Sequence, residues 1–433
     1  MTKKTNPETA KRMIKAPVRV VKPPTRAVDS PLRVAFVVPH IFMGDVLREK
    51  VIFSPGELAR EFADADWEAV APDAPVELTL FTPLPVQCKA KTVLADSAGF
   101  EAELKGRGYG YLELLKKHPS LFVAMSRQLQ GEVIAEAFRR ANLGEFDLVH
   151  VYTNEEDQAL IFADLCNKPV VFTHHDPYNF LIKYKSVFPR YKHHNFVSMS
   201  MAQRETAPEG MNFVANIYHG VRSGSCLRPS PSTSPPAADP AAGSPRSHPS
   251  PPSEAHLQTS LREAPYFLYV GRIIEPKGVH LAIAAAQKAG VQLKIAGKRY
   301  EDDYFEREVA PHLGEAAGGL VEYIGFKRGE ELKRLMAEAE ALVMPSVFEE
   351  PFGMTAIEAL SVGTPVIASR NGALPEIIGD GTSGFFADTV EEIVAAMARV
   401  GEIKAEDCIK RVQTEFSLEK MLTEHAKLWH AIS

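Results

Sequence analysis

The sequence predicts an α/β protein built from two successive open parallel sheets, each covered by helices on both faces. Three observations predict it. Strand-like apolar runs alternate with helical ones from Leu32 onward. After the first unit the alternation stops, and it restarts more regularly at Tyr266. The intervening stretch 222–260 holds nine prolines, many serines and almost no aliphatic side chains. It buries too little apolar surface to offset its ordering entropy, so a disordered linker is expected over 222–262.

In the first unit, residues 31–221, apolar runs predict strands over 32–38, 76–81, 146–152, 169–173 and 196–200, with a long helix over 120–140. Ser54-Pro55-Gly56-Glu57 reads as a helix start, with Ser as cap, Pro at the first position and Glu at the third. Leu58 and Phe62, four apart, give that helix its apolar face, and Gly56 lets another backbone or a phosphate come close. In the second unit, residues 263–416, strands are expected at 266–270, 291–296, 321–325, 341–345, 365–369 and 384–387, and helices over 279–288 and 330–340. Two such sheets in tandem place a cleft between their strand C-terminal edges, where ligands of open α/β sheets bind.

Composition narrows the function. A chain of 433 residues with 45% apolar side chains has ample core for two or three domains, and a formal charge of −6 argues against a nucleic-acid partner. The charge is uneven: residues 1–30 carry eight Lys or Arg against two acids, without amphipathic period. That composition reads as a disordered basic tail, whose alternative use is a peripheral contact with an anionic membrane surface. No apolar run reaches the ~18 residues that span a bilayer, and no signal peptide is expected, which points to a cytoplasmic protein. Cys88, Cys166, Cys226 and Cys408 lack CxxC spacing and suggest neither disulfides nor zinc.

The residues with the clearest chemistry are in the second unit. Glu350-Pro351-Phe352-Gly353-Met354-Thr355-Ala356-Ile357-Glu358 follows a predicted strand and runs into a predicted helix. Backbone N–H groups at such a helix start favour an anion, typically a phosphate. Glu350 and Glu358 are ionised acceptors suited to sugar hydroxyls and a ribose diol. Upstream, Gly271-Arg272-Ile273-Ile274-Glu275-Pro276-Lys277-Gly278 follows another strand, and two cations there can neutralise a diphosphate.

These segments, with the later Asn371-Gly372-Ala373-Leu374-Pro375-Glu376, resemble the retaining GT-B glycosyltransferases of glycosyltransferase family 4, the glycogen synthase and sucrose synthase-like group. The resemblance implies two Rossmann-like domains, the first binding an acceptor and the second a UDP-, GDP- or ADP-linked sugar. It further implies metal-independent hexosyl transfer with retention and no cofactor. The acceptor would be a sugar, a lipid-linked group or a small molecule. Glu358 would hold the ribose and Glu350 the sugar hydroxyls, Gly271, Arg272 and Lys277 the diphosphate, and backbone groups of Phe352, Gly353, Met354 and Thr355 the sugar and diphosphate, with Gly56 approaching from the first unit. The closing helix, 417–433, would return to the first domain. On the acceptor side the family's His-x-His falls on His150-Val151-Tyr152, so Tyr152 stands at its second position, and Thr173-His174-His175 resembles the next strand end, making His175 a further candidate. His219-Gly220 begins the family's interdomain connection, but Val221-Arg222-Ser223 does not continue it.

Other readings of the same residues are a sugar-nucleotide epimerase of this fold or a catalytically silent sugar-nucleotide-binding protein. Three metal-like patterns give no metal site by spacing. Asp64-Ala65-Asp66 falls in the helix after Ser54, Glu301-Asp302-Asp303 opens a helix, and His193-His194 has no spaced partner.

Overall fold

The computed structural model describes residues 30–48, 54–154, 156–222 and 264–433. The expected basic tail up to residue 29, the expected linker beyond Arg222, and Cys226 lie outside the described residues. Cys88, Cys166 and Cys408 are free thiols.

The first unit contains β1 (Leu32–Val37), β2 (Val76–Thr82), β3 (Lys91–Leu94), β4 (Leu148–Tyr152), β5 (Val170–Thr173), β6 (Asn195–Ser198) and β7 (Phe213–Asn216). They form one parallel sheet in the order β3-β2-β1-β4-β5-β6-β7. The sequence shows the inner strands because they are buried on both faces and read as continuous apolar runs. It does not show β3 and β7. These are edge strands, in which most side chains are only half-buried, so their pattern is weak.

The second unit contains β8 (Tyr266–Val270), β9 (Gln292–Ala296), β10 (Val321–Gly325), β11 (Leu342–Met344), β12 (Val366–Ala368) and β13 (Gly384–Phe386). This sheet is also parallel, in the order β10-β9-β8-β11-β12-β13. In both sheets the order reverses beside the first strand, between β1 and β4 and between β8 and β11. The crevice outside the strand C-terminal ends opens at such a point.

Helix Ser54–Asp64 begins at Ser54 itself and buries Leu58 and Phe62. Phe62 stacks on Phe36 of β1 with ring centroids 4.9 Å apart. Asp64 is the last residue of that helix, not part of a longer one. Asp66 lies beyond it and caps Trp67–Val70, its Oδ1 accepting from Ala69 N at 3.3 Å. Helix Asp302–Glu308 starts at the acidic cluster, as its charge complements the helix dipole.

The chain crosses between units twice, side by side. Val221 N donates to Phe416 O at 3.0 Å, and Leu418 N donates to Val221 O at 3.0 Å. Helix Leu418–Ile432 then returns to the first unit, where Leu418, Met421, Leu422, Ala426 and Trp429 join its core. The units also meet across the cleft. Glu376 accepts from the backbone N–H groups of Met201 (2.8 Å) and Ala202 (2.7 Å) and from Tyr218 Oη (2.8 Å). Ser200 Oγ donates to Pro351 O at 2.7 Å.

Candidate active site

Two loops leave the C-terminal ends of β8 and β11, the neighbours at which the second sheet reverses order. The first carries Gly271, Arg272 and the 3-10 turn Glu275–Lys277. The second runs through Ser346 and Glu350 into helix Met354–Ser361. They are tied by backbone: Pro276 O accepts from Val347 N (3.0 Å) and Phe348 N (3.1 Å). Gly278 permits this approach. It has φ +70°, and a Cβ there would lie 1.9 Å from Pro345 O. Gly372, at φ +61°, packs equally hard on the Glu350 backbone, where a Cβ would come within 2.3 Å of Glu350 N and O. These positions need glycine because both the conformation and the space exclude a side chain.

The side chains meet where the backbones do. Lys277 Nζ lies 2.5 Å from Glu350 Oε1, and Ser346 Oγ donates to the same oxygen at 2.9 Å. Glu350 is 5% exposed, so its charge is stabilised by a cation and a hydroxyl and not by bulk water. Lys277 Nζ also sits 5.2 Å from the Phe348 ring centroid. Tyr269 Oη lies 3.2 Å from Arg272 O and 3.3 Å from Lys277 O, bracing the cationic loop from below. Arg272 is exposed and has no ion-pair partner among the described residues. Glu358 is half-buried within helix Met354–Ser361. Loss of hydration lifts its carboxyl to about 7, opposed by the Lys333 charge.

Across the cleft the chemistry differs. His175 and His219 stack with centroids 5.2 Å apart, and the His219 ring meets Phe352 at 5.1 Å. Tyr152 is fully enclosed and lies edge-on to His175 at 4.3 Å. Below it, Trp429 Nε1 donates to His150 Nδ1 at 3.0 Å, so His150 Nε2 carries the proton toward Thr173 Oγ1 at 2.8 Å. His425 Nδ1 lies 2.8 Å from Met421 O. Burial first, then neighbouring histidines, pushes His150 and His175 well below the usual imidazole range. Burial drives His219 down to about 3, helped by His425, and takes His425 itself down to about 4. These imidazoles are therefore neutral. Tyr152 Oη, His175 Nε2, His219 Nδ1 and His425 Nε2 are buried without hydrogen-bond partners.

The two-sheet fold is shared with solved structures. Sucrose-phosphate synthase from Thermosynechococcus elongatus superposes with a TM-score of 0.63 at 18% identity, covering 92% of this chain and 98% of that one. Anabaena HepE in complex with UDP and glucose gives 0.61 at 15% identity, covering 92% and 100%. The fold is GT-B. Residues 255–414, which take in the described second unit up to Thr414, match the family described as "Glycosyl transferases group 1". An uncharacterized glycosyltransferase of Methanocaldococcus jannaschii is 39% identical over 123 residues, 28% of this chain and 30% of its own. Glycogen synthase of Mycobacterium tuberculosis is 32% identical over 177 residues, 38% of this chain and 42% of its own. The matches thus span well under half the length of these relatives.

Within the GT-B fold, Gly271, Arg272, Lys277, Glu350, Phe352, Gly353, Met354, Thr355 and Glu358 all lie on the two loops and helix start at the β8/β11 switch point. Gly56 sits in the first turn of helix Ser54–Asp64 in the other unit, outside this hydrogen-bonded cluster. Glu350, expected as an open acceptor, has one oxygen already engaged by Lys277 and Ser346. Tyr152 is a packing residue under His175 and does not line an open surface. Sequence reasoning did not find the parts played by Ser346, Tyr269, His219 and Glu376. Two of them left a signal, Glu376 as the end of Asn371-Gly372-Ala373-Leu374-Pro375-Glu376 and His219 as the start of the interdomain connection, and in neither case was the role seen here assigned.

Proposed function

We propose that this protein transfers a hexosyl group from a nucleotide-diphosphate sugar to an acceptor with retention of configuration and without a metal. The observation that carries the reading is the Lys277–Glu350 pair at the switch point of the second sheet, with Arg272 on the same loop as Lys277 and a helix start beside them. Arg272 and Lys277 supply two positive charges where a diphosphate would lie, the part a divalent cation plays elsewhere. Glu358, whose carboxyl has no hydrogen bond among the described residues, would accept from a ribose diol. Thr355 and Met354 N–H groups open the helix toward the phosphates.

Transfer would break the bond between the anomeric carbon and the diphosphate oxygen. The acceptor oxygen would form its bond on the same face, and its proton would pass to the departing phosphate. That route needs no dedicated protein base, which suits an acceptor side whose histidines are buried and neutral. The named relatives, sucrose-phosphate synthase and glycogen synthase among them, favour this class without fixing the sugar. The test is calorimetry with UDP, GDP and ADP and their glucose and mannose conjugates, on the intact chain and on Lys277→Ala. One nucleotide series should bind, and the variant should lose it. Failure of every nucleotide to bind would remove the proposal.

A further inference from the structure

On the edge of the first sheet opposite the cleft, the fold assembles a group that sequence spacing does not reveal. Asp164 lies in the 3-10 turn Ala163–Leu165, just before β5, and His193 and His194 directly precede β6, the paired neighbour of β5. His193 Nε2 lies 3.2 Å and His194 Nε2 3.7 Å from Asp164 Oδ1, and all three ligand atoms fall within 4.8 Å of one another. We propose that Asp164, His193 and His194 bind a divalent first-row transition-metal ion of the zinc class.

Three observations carry this. First, metal–ligand bonds of about 2.1 Å set tetrahedral ligand atoms about 3.4 Å apart, and the two Asp–His distances bracket that value. Second, hydrogen bonding alone does not satisfy the group. Asp164 Oδ1 serves His193, while the distance to His194 is too long for a hydrogen bond. The His194 side chain is only 10% exposed, and its Nε2 is buried with no partner. A metal would satisfy that nitrogen and the carboxylate together. Third, the His194 ring is held in place, lying nearly parallel to Tyr191 (14°, 6.2 Å) and against Phe172 at 5.7 Å. A ligand with so little freedom loses little entropy on binding.

Two imidazoles and one carboxylate suit zinc, nickel or copper and leave a fourth position for water. The ion would pin the turn before β5 to the turn before β6. It lies at the N-terminal ends of these strands, so it takes no part in the cleft chemistry.

The experiment uses the full-length chain without an affinity tag, stripped with chelator and titrated with zinc by calorimetry and with cobalt by visible absorption. One ion per chain should bind, cobalt should show a tetrahedral d–d band, and zinc should raise the melting temperature. Asp164→Asn and His193→Ala alter side chains that are 63% and 56% exposed, so both variants should fold. Each should weaken zinc binding at least about tenfold and leave the native circular dichroism unchanged. No stoichiometric binding to the wild type, or unchanged binding in both variants, would overturn the site.

Discussion

On the C-terminal side of the cleft, Lys277, Glu350 and Ser346 form a charged cluster in which the carboxylate is answered by a cation and a hydroxyl. On the N-terminal side, His150, His175, His219 and His425 lie in a buried aromatic layer, held neutral, with several nitrogens unpaired. One side keeps charge by pairing it, and the other removes charge by burying it. On the proposed function, a leaving diphosphate would meet the first arrangement, and an acceptor hydroxyl approaching with its proton still on would meet the neutral wall. The contrast also makes the two halves separable in experiment.

The largest effect should come from Lys277→Ala. On the proposed function, turnover should fall on the order of 10²-fold or more, because the cation proposed to face the leaving group is lost. The same change strands the buried Glu350 charge, which should cost roughly 3 kcal/mol of stability. Adding Glu350→Gln should recover most of that stability and none of the turnover. Paired recovery of both would show that Lys277 is structural only, and that the cluster is not catalytic.

Second is acid sensitivity confined to the first unit. Histidines with depressed native values contribute stability that is present above the unfolded value near 6.5 and lost as pH falls toward their native ones. For His425, at about 4, most of that loss falls between pH 6.5 and 4. Both tryptophans, Trp67 and Trp429, lie in this unit with rings 5.4 Å apart, so tryptophan fluorescence reports on it alone. Urea unfolding followed this way should show His425→Gln reducing the stability difference between pH 7.5 and 4.5 by roughly 2 kcal/mol. An unaltered pH slope in that variant would mean that the layer admits protons freely.

Third, Glu358 should respond in the opposite direction. Its native value, about 7, lies above the unfolded carboxylate value. Its contribution is therefore full below about pH 4.5 and is lost as pH rises through 7. Glu358→Gln should stabilise the protein at pH 8 by roughly 2 kcal/mol and change little at pH 4, measured by calorimetric melting. Ribose hydroxyls donating to this carboxylate would favour its charged form, so nucleotide binding at pH 7 should release protons in the wild type and not in the variant. Equal proton release in both would place the ribose elsewhere.

The same contrast explains what was legible in the sequence. The charged loops were, because Gly278 and Gly372 are forced by backbone contact, and because Arg272, Lys277, Glu350 and Glu358 lie within short segments that follow apolar strands. The overall two-sheet architecture was legible for the same reason, since inner strands read as unbroken apolar runs. The histidine layer was not. His150, His219 and His425 come from β4, the crossing segment and the returning helix, and their shared property, burial, is set by packing and not by any local pattern. Tyr152 was placed on the acceptor side by its position in the His-x-His pattern, which says nothing of the Phe36, Phe62 and His175 rings around it. Asp164 was likewise brought to His193 and His194 by strand pairing.

The smallest effect tests how the two halves are joined. The connector departs from the family pattern, yet Glu376 of the second unit receives three hydrogen bonds from the first, two from backbone N–H groups and one from Tyr218 Oη. Tyr218→Phe removes one and leaves the carboxylate held by the other two, so about 1 kcal/mol should be lost. The lost interaction spans the cleft and touches neither Lys277 nor Glu358. On the proposed function the second unit supplies donor affinity, which should therefore stay within error of wild type. Turnover, which needs both walls in place, should fall about fivefold. The split is the informative result. If donor affinity drops as far as turnover, the Glu376 contact belongs to the nucleotide site itself, and the division of labour between a charged half and a neutral half does not hold.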